Sequence, residues 1–185
     1  RNNSNGNDVI LQSDDGSGGV TEYFRLDGSV GGTVPYTVFP DNARCAFGNP
    51  GDGTFMELFH DGTNSYIENE SGNLFIANNA NDGDIFFNSD NGSGGLTTYF
   101  YLDGGNTNVR FEKDIFLLDN VNLRIGSGTD LEIYHDGTNN FIHADSGDLI
   151  IEQTADDKDI IFKSDDGSGG VTAYMTILGS NTDSQ

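Results

Sequence analysis

The residues with the strongest claim to chemistry in this chain are carboxylates held in glycine turns. Asp14-Asp15, Asp90 and Asp165-Asp166 recur in three equivalent turns, and oxygen ligands offered by a tight turn are what calcium takes. The pattern is not a complete calcium loop. It lacks the D-x-D-x-D-G run closed by a bidentate Glu, and it lacks the G-G-x-G-x-D nonapeptide of calcium-binding β-rolls. A solvated acidic turn is the plainer expectation, so no cofactor is assigned and calcium stays as the one candidate ion, including weak binding between chains.

The histidines are the other metal candidates. His60 and His135 hold equivalent positions one repeat apart, so they are expected to cap hairpin strands rather than converge. In a trimer such a His would meet its symmetry mates on the axis, the sharper alternative. His143 has no counterpart, because Glu68 and Asn69 occupy that region of the earlier block. A glycosidase needs two carboxylates roughly 5 to 10 Å apart in a cleft. With 30 acidic residues a pair can always be found, which removes the signal's specificity. No G-x-S-x-G elbow, H-E-x-x-H helix or phosphate loop before a helix is present, and the G-S-G-G turns run into strands, so they offer phosphate no helix N-terminus. No catalytic, cofactor-binding or metal residue is assigned, and the chain is not expected to be an enzyme.

What must position these groups is a repeat. His60, Gly72 and Asp84 each reappear 75 residues on, as His135, Gly147 and Asp159. The block HDGTNSYIENESGNLFI from His60 to Ile76 returns as HDGTNNFIHADSGDLII from His135 to Ile151, and SDDGSGG at Ser13 to Gly19 returns as SDNGSGG at Ser89 to Gly95 and as SDDGSGG at Ser164 to Gly170. Turn signals at Gly62, Gly72, Gly83, Gly92 and Gly104 fall roughly ten residues apart, a spacing that suits short antiparallel strands. Asp61-Gly62, Asp136-Gly137 and Asn91-Gly92 supply the left-handed backbone that tight hairpins need.

After each Gly-Gly the residues alternate. Val20, Glu22, Phe24 and Leu26 are expected on one face, with Thr21, Tyr23, Arg25 and Asp27 on the other. The same reading groups Leu96, Thr98, Phe100 and Leu102, then Val171, Ala173, Met175 and Ile177, as a core side, with Tyr99 and Tyr174 joining Tyr23 on a half-wet side. The runs Val9-Ile10-Leu11, Ile85-Phe86-Phe87 and Ile160-Ile161-Phe162 are apolar at consecutive positions, as where both faces of a strand are covered. No segment has the apolar recurrence of an amphipathic helix. The expected fold is all-β with almost no helix: an elongated repeat architecture of short strands, β-helix- or β-prism-like, forming an intertwined homotrimer.

Composition supports partners of that kind and excludes others. Only 34% of the 185 residues are hydrophobic, little for a thick private core. The formal charge of −22 repels phosphate backbones and anionic headgroups, so neither nucleic acid nor a membrane surface is an expected partner. No apolar run is long enough to span a bilayer. The start, Arg1-Asn2-Asn3-Ser4, lacks Met and is no signal peptide, so an excised fragment is expected. The lone Cys45 cannot pair within the chain.

The repeat is interrupted once. Aligning Gly48 with Gly126 requires an indel of three residues, and all the prolines, Pro35, Pro40 and Pro50, gather here with Cys45. The chain divides into a partial block at 1–31, a divergent insertion at 32–55, a repeat block at 56–130 and a truncated block at 131–185. The insertion is expected to be a surface loop, with a contact loop for a receptor as the functional alternative.

The residues DLEIYHDGTNNFI from Asp130 to Ile142, then SGDLII, then DIIFKSDDGSGGVTAY resemble a repeat of tail-fibre and appendage proteins of marine bacteriophages. The resemblance covers most of the chain except Gly32 to Gly53, and the last strand ends in Ile177-Leu178-Gly179 where Leu-Asp-Gly stood earlier. It implies a β-rich homotrimer on the virion, an extracellular structural and adhesion segment that meets a host-surface glycan or protein. The alternatives are a secreted calcium-dependent β-solenoid adhesin and a tailspike-like polysaccharide depolymerase.

Overall fold

The computed structural model of the chain describes residues 6–29 and 34–180. The chain start and the Gly32 boundary of the divergent stretch lie outside them. The described residues form strands β1 (Val9–Asp14), β2 (Val20–Asp27), β3 (Tyr36–Val38), β4 (Cys45–Asn49), β5 (Thr54–His60), β6 (Ser65–Asn69) and β7 (Ile85–Asp90). There follow β8 (Leu96–Asp103), β9 (Asn108–Phe111), β10 (Leu123–Ile125), β11 (Leu131–His135), β12 (Asn140–Ala144), β13 (Ile160–Asp165) and β14 (Val171–Ile177). The only helical element among them is one 3₁₀ turn, Pro50–Asp52. The fold is therefore all-β, as the period-two patterning predicts.

Each sheet is a small antiparallel meander of neighbours in sequence: β1-β2-β3, β4-β5-β6, β7-β8-β9, β10-β11-β12 and the pair β13-β14. Two kinds alternate. The first carries the SDDGSGG turn between its opening strands, and the second carries HDGTN between its second and third strands. The chain falls into two compact units. One runs through Ile85 and takes in Asp103–Asn108; the other comprises Phe86–Leu102 and the residues from Val109 onward.

The divergent stretch is not a loop inserted into the scaffold. From Val34 on it holds β3 and β4, and β4 pairs with β5 as β10 pairs with β11. Asn42 donates its N–H to the His60 carbonyl at 2.7 Å, and Asn120 does the same to His135 at 2.8 Å. Both asparagines are left-handed, with φ of 66° and 63°. The three extra residues lie in the turn between β4 and β5, where Pro50 opens the 3₁₀ turn and Gly53 closes it. The prolines mark strand ends: Pro35 precedes β3 and Pro40 follows it, sites where a missing N–H breaks no ladder. Cys45 opens β4 opposite Leu58 as a free thiol.

The expected faces of β2 need correcting. Leu11 pairs with Phe24 but Gln12 pairs with Glu22, so Tyr23 is an extra, bulged residue. Phe162 and Lys163 facing Met175 and Ala173 leave Tyr174 bulged in the same way. One extra residue reverses which side of the sheet each later side chain takes. Arg25 consequently sits with Glu22 and Asp27, at 2.9 and 3.1 Å, instead of across the sheet from Glu22.

The expected core side also fails within one chain. No described hydrophobic residue is buried; the buried residues are Asp27, Glu57 and Asp103. Val9, Ile10, Leu11, Val20, Leu26, Leu96 and Leu102 are all exposed. What packing exists is cross-strand ring stacking. Phe86 stacks on Tyr101 at 5.0 Å and Phe87 on Phe100 at 4.3 Å. Phe59 stacks on Tyr66 at 4.6 Å and Tyr134 on Phe141 at 4.8 Å.

Candidate interaction surface

The acidic turns are closed by their own backbone. Asp15 Oδ1 accepts the Ser17 N–H, the Ser17 hydroxyl and the Gly19 N–H at 2.8, 2.8 and 2.9 Å. Asp166 Oδ1 repeats the arrangement with Ser168 and Gly170. These bonds hold the Asp15 and Asp166 carboxyls below the usual carboxylate range, the Ser17 N–H contributing most at Asp15 and the Ser168 hydroxyl most at Asp166. In the middle copy Asn91 Oδ1 takes the same Ser93 and Gly95 N–H groups. A neutral amide thus does the work of the carboxylate, so the conserved role of the position is capping. The preceding Asp14, Asp90 and Asp165 each accept the N–H of the first turn glycine. Gly16 and Gly18 adopt φ of 77° and 89°, which an L side chain resists. The repeated tyrosine ties down the same turn: the hydroxyls of Tyr23, Tyr99 and Tyr174 donate to the carbonyls of Asp14, Asp90 and Asp165 at 3.1, 2.9 and 3.1 Å.

The HDGTN hairpins are built likewise. Asp61 Oδ1 accepts the N–H groups of Thr63 and Asn64, and Asp136 Oδ1 those of Thr138 and Asn139. The Asn64 and Asn139 N–H bonds, foremost, keep both carboxyls low. His60 and His135 end their strands, as the sequence predicts. His60 Nδ1 lies 3.2 Å from Ser65 Oγ, and His135 Nδ1 lies 2.8 Å from Asp119 Oδ1.

His143 is better placed than expected for metal chemistry. One ligand atom from each of Glu132, His143 and Asp145 lies within 4.8 Å of the others, and this is the one such convergence involving three groups among the described residues. Its cross-strand partner Glu132 is already engaged by Asn122 and by the Arg124 guanidinium, at 3.0 and 2.7 Å, which hold its carboxyl low. The equivalent position in the first block has a cation built in. Arg44 contacts the buried Glu57, lies 3.8 Å from Glu68, and places its guanidinium 4.0 Å over the Phe59 ring. Both arrangements neutralise a cross-strand glutamate with an arginine of the same sheet.

The uncommitted surface is apolar. Leu74-Phe75-Ile76 and Leu149-Ile150-Ile151 lie outside every ladder, with Phe75 85% and Ile150 78% exposed. Among the described residues, 73–79 and 148–154 make no backbone–backbone hydrogen bond. Ile115-Phe116-Leu117-Leu118 is a third such run, and Phe116 is also 85% exposed. It borders an open groove of about 520 Å³ with Val121, Ile133, Phe141 and Ile142. Compared with protein-family models, curated proteins and solved structures, the chain matches none. The surface must be read from its own chemistry.

Sequence reasoning placed the turns but missed these runs as a surface. The signal was available: an apolar triad recurring at the repeat offset with no hairpin partner on either side. The arginine that neutralises Glu57 gave no comparable signal, because Arg44 faces Asn122 in the later block.

Proposed function

We propose that this chain is a structural and adhesive segment of a virion appendage of the tail-fibre kind, an elongated homotrimer whose strands complete one another between chains. In this reading it is not an enzyme; it presents a rigid β scaffold on which a host-surface glycan or protein is met. The observation that carries the reading is the absence of any buried hydrophobic residue among those described. Described residues that form fourteen strands yet bury no hydrophobic side chain need the hydrophobic term from elsewhere.

The exposed area supports it. Two separate globules, each of half this mass, would together expose roughly 10,400 Å², whereas the chain exposes 14705 Å². The excess, on the order of 4,000 Å², is that of an obligate interface. The acidic turns favour the fibre reading over a calcium-dependent adhesin, since backbone donors to one carboxylate oxygen already close each turn without an ion.

Light scattering coupled to size exclusion tests the proposal. The expected mass is about three times 19.9 kDa. A stable folded monomer at micromolar concentration overturns it.

A further inference from the structure

Resting on that homo-oligomeric reading, we propose that Leu74-Phe75-Ile76 and Leu149-Ile150-Ile151 are interchain strands, each completed by the main chain of a second copy of this protein. Two independent deficits coincide at these residues. Their side chains are exposed, and 73–79 and 148–154 lack backbone partners among the described residues. A loop meant for water carries polar side chains over an unpaired backbone; an apolar run with bare N–H and C=O groups is an unpaired strand. Neighbouring sequence fits the strand reading, because Gly72 and Gly147 adopt φ of 70° immediately before each run and form equivalent turns that launch it.

The partner is identified by period. The two runs stand 75 residues apart with the same pattern of residues around them. A partner that satisfies both equally must present the same features at the same spacing, and another copy of this chain does so without further assumption. Charge separates this partner from a different one. A second copy brings a further −22, so electrostatics opposes the contact and apolar burial must overcome it. A basic polypeptide would instead be drawn in by charge, and its binding would fade with salt.

Hydrogen exchange read by mass spectrometry on the intact chain, together with sedimentation, tests the inference. In the assembled protein the amides of 73–79 and 148–154 are expected to exchange as slowly as those of β11 and β12, at least about 100-fold below unstructured rates. The pair F75S with I150S is expected to weaken assembly about 100-fold or more, with β11 and β12 still protected in the molecules that remain assembled. Raising salt from about 0.05 M to about 1 M is expected to strengthen assembly. An oligomer in which both segments exchange freely overturns this inference and leaves the proposed function standing. A monomer overturns both. Segments that become protected only when a basic polypeptide such as polylysine is added, and lose that protection in salt, overturn the second copy in favour of a basic partner.

Discussion

One side-chain oxygen takes most of the bonds that close each acidic turn, and an amide oxygen can stand in for the carboxylate. Asp15 Oδ1 and Asn91 Oδ1 take equivalent donors, so D15N and D166N are expected to keep the caps and to lower the melting temperature less than D15A and D166A, which remove the acceptor of three donors at each turn. Differential scanning calorimetry distinguishes the pairs; a D15N variant that melts as low as D15A sinks the capping account. The same geometry predicts that EGTA leaves melting unmoved, because each turn is already closed by its own backbone donors without an ion. In the middle copy, Y99F removes one hydroxyl-to-carbonyl bond and is expected to cost about 1 kcal/mol in denaturant unfolding. These turns were legible in the sequence because their determinants are local: a side chain and a backbone donor two to four residues apart. The convergence of Glu132 with His143 was not, because it depends on a cross-strand register that no short motif states.

At the scale of strands and sheets, the repeat was legible and its faces were not. Alternation in Val20 to Asp27 reads as two clean faces, yet the bulge at Tyr23 exchanges them halfway along, and a bulged tyrosine looks like any other. The stretch before Phe55 was obscured differently. A three-residue change in one turn shifted the register, hiding that Asp41-Asn42 matches Asp119-Asn120 and that β4 is a strand of the common meander. Where the chain closes a hairpin base, the demand is for close approach. The N–H groups of Gly28, Gly104 and Gly179 donate to Asp8, Asp84 and Asp159, all at 3.0 Å. A Cβ at Gly28 would stand 2.8 Å from the Asn7 carbonyl oxygen. G28A is therefore expected to cost about 1 to 3 kcal/mol, measured as a shift in denaturant midpoint. Gly179 keeps this role even though Leu178 replaces the buried aspartate of the earlier copies, so the changed ending preserves the joint. R44A is expected to cost about 1 to 3 kcal/mol, because Glu57 would remain buried without its cation. An unchanged midpoint in R44A would show that Glu57 finds another donor.

For the whole molecule, burial was the least legible property, since it depends on chains that a single sequence does not display. The proposed assembly nonetheless has a definite response to pH, set by two opposed terms. Between copies, like charge opposes contact, and this repulsion shrinks as pH falls from 7 toward the ordinary carboxylate range near about 4. Within each copy, Asp15, Asp61, Asp136 and Asp166 hold folded-state values below the ordinary one. Their contribution to stability is complete above the unfolded value and disappears only as pH falls through the lower, folded one. The two terms therefore act in successive pH windows. Sedimentation is expected to show assembly tightening from pH 7 to about 4.5, with thermal stability holding; as pH falls further, through the lowered folded-state values, the turn carboxyls protonate, their caps weaken and melting temperature drops. Assembly that loosens steadily between pH 7 and 5 would mean that ionised carboxylates attract something across the interface, and the account of an apolar seam closed against like charge would fall.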